Sequence, residues 1–185
     1  MTRLKLLSLL LAACGSVVAD DPVTMVGKTA PAPIFTTLSG EYQRVSKLYG
    51  SDAGGGQTEK SAVALSFMSL NCVPCKKEMP LFLEAVRSFS GQPGSGNKAF
   101  RFFFISLDPL SAKDKVREFV VGQGVDPSKE LLLDPYQRAA KMFGVSTIPR
   151  TFVIAPDGTV TDDISGAPED YGARLKVGIE KALKQ

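Results

Sequence analysis

The 185-residue chain has no histidine, no tryptophan and three cysteines. Each shortage removes a class of function. A structural zinc site wants four ligands, and beyond Cys72 and Cys75 the chain offers only Cys14, so no metal is expected. Charge of one sign is also scarce: 22 Lys and Arg stand against 19 Asp and Glu, a net of +3. That balance gives no general basic signal for nucleic acid or anionic lipid. No apolar run reaches the roughly 20 residues that cross a bilayer. The Gly-rich stretch 90–97 is no phosphate loop, because Asn97 stands where lysine is needed and a strand follows.

What is present begins with a targeting pattern. Arg3 and Lys5 precede an apolar stretch over 6–11, interrupted by Ser8, and then Leu11-Ala12-Ala13-Cys14. This is the layout of a secretory signal. Its last four residues resemble the lipobox of bacterial lipoproteins, which implies cleavage before Cys14 and lipid on that residue. The expected division is a signal peptide over 1–13, a lipidated Cys14 and tether over 14–25, and one domain over 26–185. Cleavage would remove Arg3 and Lys5 and bring the net charge to +1. Export also suits the cysteine usage, since disulfides persist outside the cytosol.

The chain is organised around residues 60–80. An apolar run over 62–68 leads through Ser69, Leu70 and Asn71 into Cys72-Val73-Pro74-Cys75, then Lys76, Lys77, Glu78, Met79 and Pro80. We read a buried strand delivering a dithiol to a helix N-terminus. Two cysteines this close pair only across a tight turn, which a helix start supplies. Free backbone N–H groups and the dipole there lower a thiol pKa. Cys72 is then the nucleophile and Cys75 the resolving thiol. A purely structural role is poor, because so short a loop barely restricts the unfolded chain.

Around this centre the pattern alternates. Two β-type runs about Ser39-Gly40 predict a hairpin, and residues 46–49 one helical turn; 52–59, with three consecutive glycines, predict a loop. A helix over 73–89 should bury Met79, Phe82, Leu83, Val86 and Phe89, and Pro80 should bend it. Residues 100–107 read as a strand covered on both faces. A capping box at Ser111 and Asp114 should open a helix burying Ala112, Val116, Phe119 and Val120. Residues 131–133 form a short apolar run, and Asp134 should cap a helix over 135–143. Strands over 151–155 and 159–164 flank Pro156-Asp157-Gly158, and a last helix carries Tyr171, Leu175, Ile179 and Ala182 on one stripe. The class is α/β, with a mixed central sheet flanked by helices.

The order strand, Cys72-Val73-Pro74-Cys75, Pro-bent helix, strand, helix, Ile148-Pro149, hairpin, helix resembles the thioredoxin fold. With Gly27-Lys28-Thr29-Ala30-Pro31, Phe35, Phe67 and Lys76-Lys77-Glu78-Met79-Pro80, it is similar to exported TlpA/ResA-type thiol-disulfide oxidoreductases, relatives of the peroxiredoxins. The resemblance implies a thioredoxin-like domain with an N-terminal β-hairpin extension and no cofactor beyond the Cys72–Cys75 disulfide. It implies a cis peptide at Pro149, with Ile148 and Pro149, beside Val73 and Pro74, receiving the substrate. Glu78 matches an acidic position linked to proton handling; as a base it would serve Cys75, and otherwise it is a solvated carboxylate of the first turn. Arg150 would favour the Cys72 thiolate, or else face solvent.

The implied function is exchange with exported protein disulfides or thiols, with reduction as the expected direction, cytochrome c maturation as one setting and a membrane or soluble thiol as electron donor. The implied location is a lipid anchor on a bacterial membrane, facing the periplasm or the outside. Asn71 and Met68 stand where the family carries tryptophan, which weighs against direct transfer of a substrate; Ser66 stands where thioredoxin has a buried aspartate. A peroxidase is one alternative; Ser69 suits it, but Leu65 replaces the expected proline. A non-catalytic binding lipoprotein is another. Metal delivery is disfavoured, since the copper-binding relatives use histidine.

Overall fold

The computed structural model describes residues 24–50, 60–89 and 99–185. The signal peptide 1–13, Cys14, the tether up to residue 23 and the loops expected over 52–59 and 90–97 lie outside the described residues.

Seven strands form one mixed sheet. In chain order they are β1 (Ile34–Thr36), β2 (Tyr42–Arg44), β3 (Ser61–Met68), β4 (Ala99–Ser106), β5 (Leu131–Leu133), β6 (Arg150–Ile154) and β7 (Val160–Ser165). Across the sheet the order is β2-β1-β5-β4-β3-β6-β7. The centre, β5-β4-β3, is parallel, and antiparallel pairs close both sides. This is the thioredoxin-like arrangement with an added N-terminal hairpin. All eight residues of β3 are buried, because both faces are covered.

Helices α1 (Val73–Arg87), α2 (Lys113–Gly122) and α4 (Tyr171–Leu183) share one face of the sheet, and short α3 (Arg138–Met142) packs on the other. On the first face Met79, Phe82 and Val86 of α1 meet Phe102 and Phe104 of β4 and Leu175 and Ile179 of α4. On the second, Phe67, Phe143 and Phe152 form a triad with centroids 4.9 to 5.9 Å apart. Period-two alternation divides neighbours in a strand between these cores.

Two predicted helix starts are corrected. At α2 no side-chain cap forms and Ala112 is only part-buried; residues 110–112 make a 3-10 turn instead. At α3 the helix begins at Arg138, not 135. Gln137 adopts a left-handed φ of 53°, so the helix cannot run back through it. Asp134 still caps, accepting from the N–H groups of Arg138 at 2.9 Å and Ala140 at 2.8 Å.

Candidate active site

Strand β3 ends at Met68, and four residues later Cys72 caps α1. Its Sγ accepts from the Cys75 N–H at 3.1 Å, and Pro74, within the first turn, forfeits no helical hydrogen bond. Cys72 and Cys75 are joined as a disulfide. Cys72 is part-exposed and Cys75 is buried. In the reduced protein the same N–H and the helix dipole favour negative charge on Cys72. The outer sulfur is thus open to solvent and the inner one lies behind it.

Glu78 lies one turn beyond Cys75, where helical spacing puts Cβ atoms about 5–6 Å apart on one face. It is 2% exposed, so the solvated reading of this residue is overturned. Its Oε1 accepts from Thr151 Oγ1 at 3.2 Å and Ser66 Oγ at 3.4 Å. The Tyr171 hydroxyl lies 2.9 Å from Thr151 Oγ1 and extends this chain. Burial pushes the Glu78 carboxyl up to about 7, against the opposing pull of the Tyr171, Thr151 and Ser66 hydroxyls. Its Oε2 has no partner among the described residues. A carboxyl so poised can take and return a proton near neutrality.

The loop between β3 and α1 is braced by a residue that sequence reasoning missed. Asp108, just past β4, accepts from Ser69 Oγ at 2.9 Å, from the Leu70 N–H at 3.2 and 3.0 Å, and from Ser106 Oγ at 2.9 Å. The sequence signal was there: two polar residues, Ser106 and Asp108, directly after an apolar strand. Thr151, Tyr171 and Asp163 were also missed.

The Ile148–Pro149 peptide is cis. The Pro149 carbonyl accepts from the Gly166 N–H at 2.9 Å, while Ile148 makes no backbone hydrogen bond among the described residues. Shallow grooves lie on both sides of the dithiol. Val73 and Pro74 line one with Lys77, Leu81, Pro168 and Glu169. Ile148 lines the other with Ser69, Leu107, Gln137 and Val145. The docking candidates are thus split between two surfaces flanking the sulfurs.

Arg150 is placed differently from either expectation. It is 2% exposed, and its Nε and Nη2 donate to the two oxygens of Asp163, the latter at 2.8 Å. The guanidinium also lies over Phe152, 5.6 Å from the ring centroid. Strand alternation sends Thr151 toward Glu78 and α1, and Arg150 with Phe152 to the opposite face. Arg150 therefore belongs to a buried ion pair rather than to the Cys72 thiolate or to solvent. Among the described residues no group of three or more His, Cys, Asp or Glu could hold a metal ion.

Comparison with known proteins agrees with this geometry. The AhpC/TSA family profile matches residues 26–163. Over 148 residues the chain is 28% identical to "Thiol-disulfide oxidoreductase ResA" of Bacillus thuringiensis (strain Al Hakam), covering 80% of this chain and 74% of that protein. Over 164 residues it is 26% identical to "Thiol:disulfide interchange protein DsbE homolog" of Paracoccus denitrificans (strain Pd 1222), covering 88% and 79%. A thiol:disulfide interchange protein of the thioredoxin family from Chlorobium tepidum TLS superposes with a TM-score of 0.61 at 21% identity, covering 87% and 99%, and shares the fold.

Proposed function

The chain belongs to the AhpC/TSA family and is a thiol-disulfide oxidoreductase of the ResA/DsbE type, and we propose that it reduces disulfides of exported proteins. The observation that carries the exchange mechanism is the buried Glu78, poised at about 7 one helical turn from the buried Cys75.

The Cys72 thiolate attacks one sulfur of a target disulfide, forming a mixed disulfide and expelling the other target sulfur as a thiolate, which takes a proton from water. Glu78 then accepts the Cys75 proton, and the Cys75 thiolate attacks Cys72 Sγ. That step closes the Cys72–Cys75 disulfide and expels the second target sulfur as a thiolate, which takes a proton from water, while Glu78 returns its proton to solvent. Two electrons have passed to the target, so a donor dithiol must return two before the next cycle. No other cofactor is needed, since the sulfur pair carries the electrons. The free Ile148 backbone suits pairing with an extended target segment.

We place the protein on a bacterial membrane through lipid at Cys14, facing the periplasm or the outside, with apocytochrome c as one target. The motif ending at Cys14 supports this placement. Among the described residues no helix is long and apolar enough to cross a membrane.

The test is the reduction potential of the Cys72–Cys75 couple, measured in thiol-disulfide buffers. A value near about −270 mV supports a reductase; a value near about −120 mV makes the protein an oxidant and overturns the proposed direction.

A further inference from the structure

The near-neutral net charge conceals a local concentration of cations. A groove of about 830 Å³ lies over the face of the β1–β2 hairpin that no helix covers, beside the start of α2 and the loop after β5. The pairings Ile34 with Arg44 and Thr36 with Tyr42 put these side chains on one face. Four exposed cations line the groove: Arg44, Lys47, Lys113 and Arg138. Among the described residues none of the four has a carboxylate within ion-pair distance. The one acid in the lining, Asp134, is buried and spends both oxygens on capping α3. Tyr42 and Tyr136 stand 83% and 73% exposed in the same groove, with Arg138 stacked on Tyr136.

We propose that this groove binds an acidic segment, interspersed with aromatic or apolar residues, of the protein whose disulfide is exchanged. Resting on the function proposed above, the inference names the class of substrate. Unpaired cations on a concave surface select negative charge, and the exposed tyrosines select apolar side chains. The groove neighbours the site along the chain. Gln137 lines the shallow groove that also holds Ile148, and its neighbours Tyr136 and Arg138 line the basic one. A polypeptide seated at Ile148 can therefore extend toward the cations. A flat membrane would meet the rim but not the floor, and the outer edge of β2, unpaired among the described residues, offers an extended chain a strand to pair with.

The test is a titration of the full, ¹⁵N-labelled, oxidised chain with a short peptide alternating glutamate and phenylalanine, and with its lysine counterpart. The acidic peptide is expected to shift amides of residues 34–47, 110–113 and 134–138, and to weaken with salt. The variant R44Q/K113Q/R138Q is expected to bind it about tenfold more weakly, from three exposed ion pairs. Its own amide spectrum reports whether it is folded. Equal binding of the two peptides, shifts elsewhere, or undiminished binding by the variant overturns the proposal. So does a groove perturbed by phosphatidylglycerol vesicles but not by peptide. Exchange with the neutral hydroxyethyl disulfide is followed separately: if it fails, the proposed activity falls while the titration still judges the groove. Where exchange proceeds, disulfide peptides with acidic flanks are expected to show a KM about tenfold below neutral ones, and no difference would break the link to the substrate.

Discussion

Thr151 Oγ1 donates to Glu78 Oε1 at 3.2 Å, and Ser66, opposite Thr151 in the β3–β6 ladder, reaches the same oxygen at 3.4 Å. Two strands thus aim their hydroxyls at one carboxyl carried by α1. Hydroxyl donors favour the ionised form and burial opposes it; burial wins, leaving the group near 7.

Glu78→Gln should therefore slow the resolving step. General-base assistance contributes about 10²–10⁴-fold, so closure of the mixed disulfide by Cys75 should fall roughly 100-fold at pH 7. Rapid-quench trapping of the Cys72 adduct with a disulfide peptide checks this. The first attack, by Cys72, should keep its wild-type rate; an equal loss in both steps would mean that Glu78 serves the fold and not the proton.

The same residue makes stability depend on pH. Its folded value, about 7, exceeds the ordinary 4.5, so between those values the native chain keeps a proton that the unfolded chain has lost. The contribution is complete below pH 4.5 and lost as pH rises through about 7, a decline of about 3 kcal/mol. Denaturant melts of wild type and Glu78→Gln at intervals from pH 4.5 to 7.5 should show the slope in the first and its absence in the second.

Asp108→Asn should loosen the approach to Cys72. The substitution weakens bonds to Ser69, Leu70 and Ser106 at a buried site, and a cost of about 1–3 kcal/mol is expected. With the Ser69–Leu70 loop less fixed, the cap at Cys72 is less well held and its thiolate less favoured. The pH profile of Cys72 alkylation in the reduced protein should move upward, which a loss of stability alone would not produce.

Much of this architecture was legible because its signals are local. The dithiol at a strand-helix junction, the turn at Pro156-Asp157-Gly158 and the Tyr171-Leu175-Ile179 stripe each sit within one element or turn. The burial of Glu78 was also readable, since it falls three residues after Cys75 and four before Phe82 on one helical face. Arg150 was not. Its partner Asp163 lies on β7, opposite Phe152, and reaches Arg150 diagonally, so the contact exists only once the β6–β7 register is set. The late start of α3 depended on the single left-handed residue Gln137, which composition does not announce.

Asp163→Ala should be the most damaging of these substitutions. It strands a buried guanidinium, for which a loss of about 3–5 kcal/mol is expected. Replacing both partners with apolar residues of similar volume should recover most of that loss. Urea melts of the single and double variants separate the cost of an orphaned charge from the worth of the pair.

Asp163 has a second attachment: its Oδ2 also accepts from the Met25 N–H at 2.8 Å. From there Gly27 and Lys28 bond to Val160 at the start of β7, and Ala30 to Gly158 in the turn before it. Tension applied at the N-terminal side thus enters the sheet through the carboxylate that also grips Arg150, the residue after Pro149. Mechanically, Met25 and the Ile148–Pro149 loop are parts of one stiff body. The orientation of Cys72 therefore follows that of Met25.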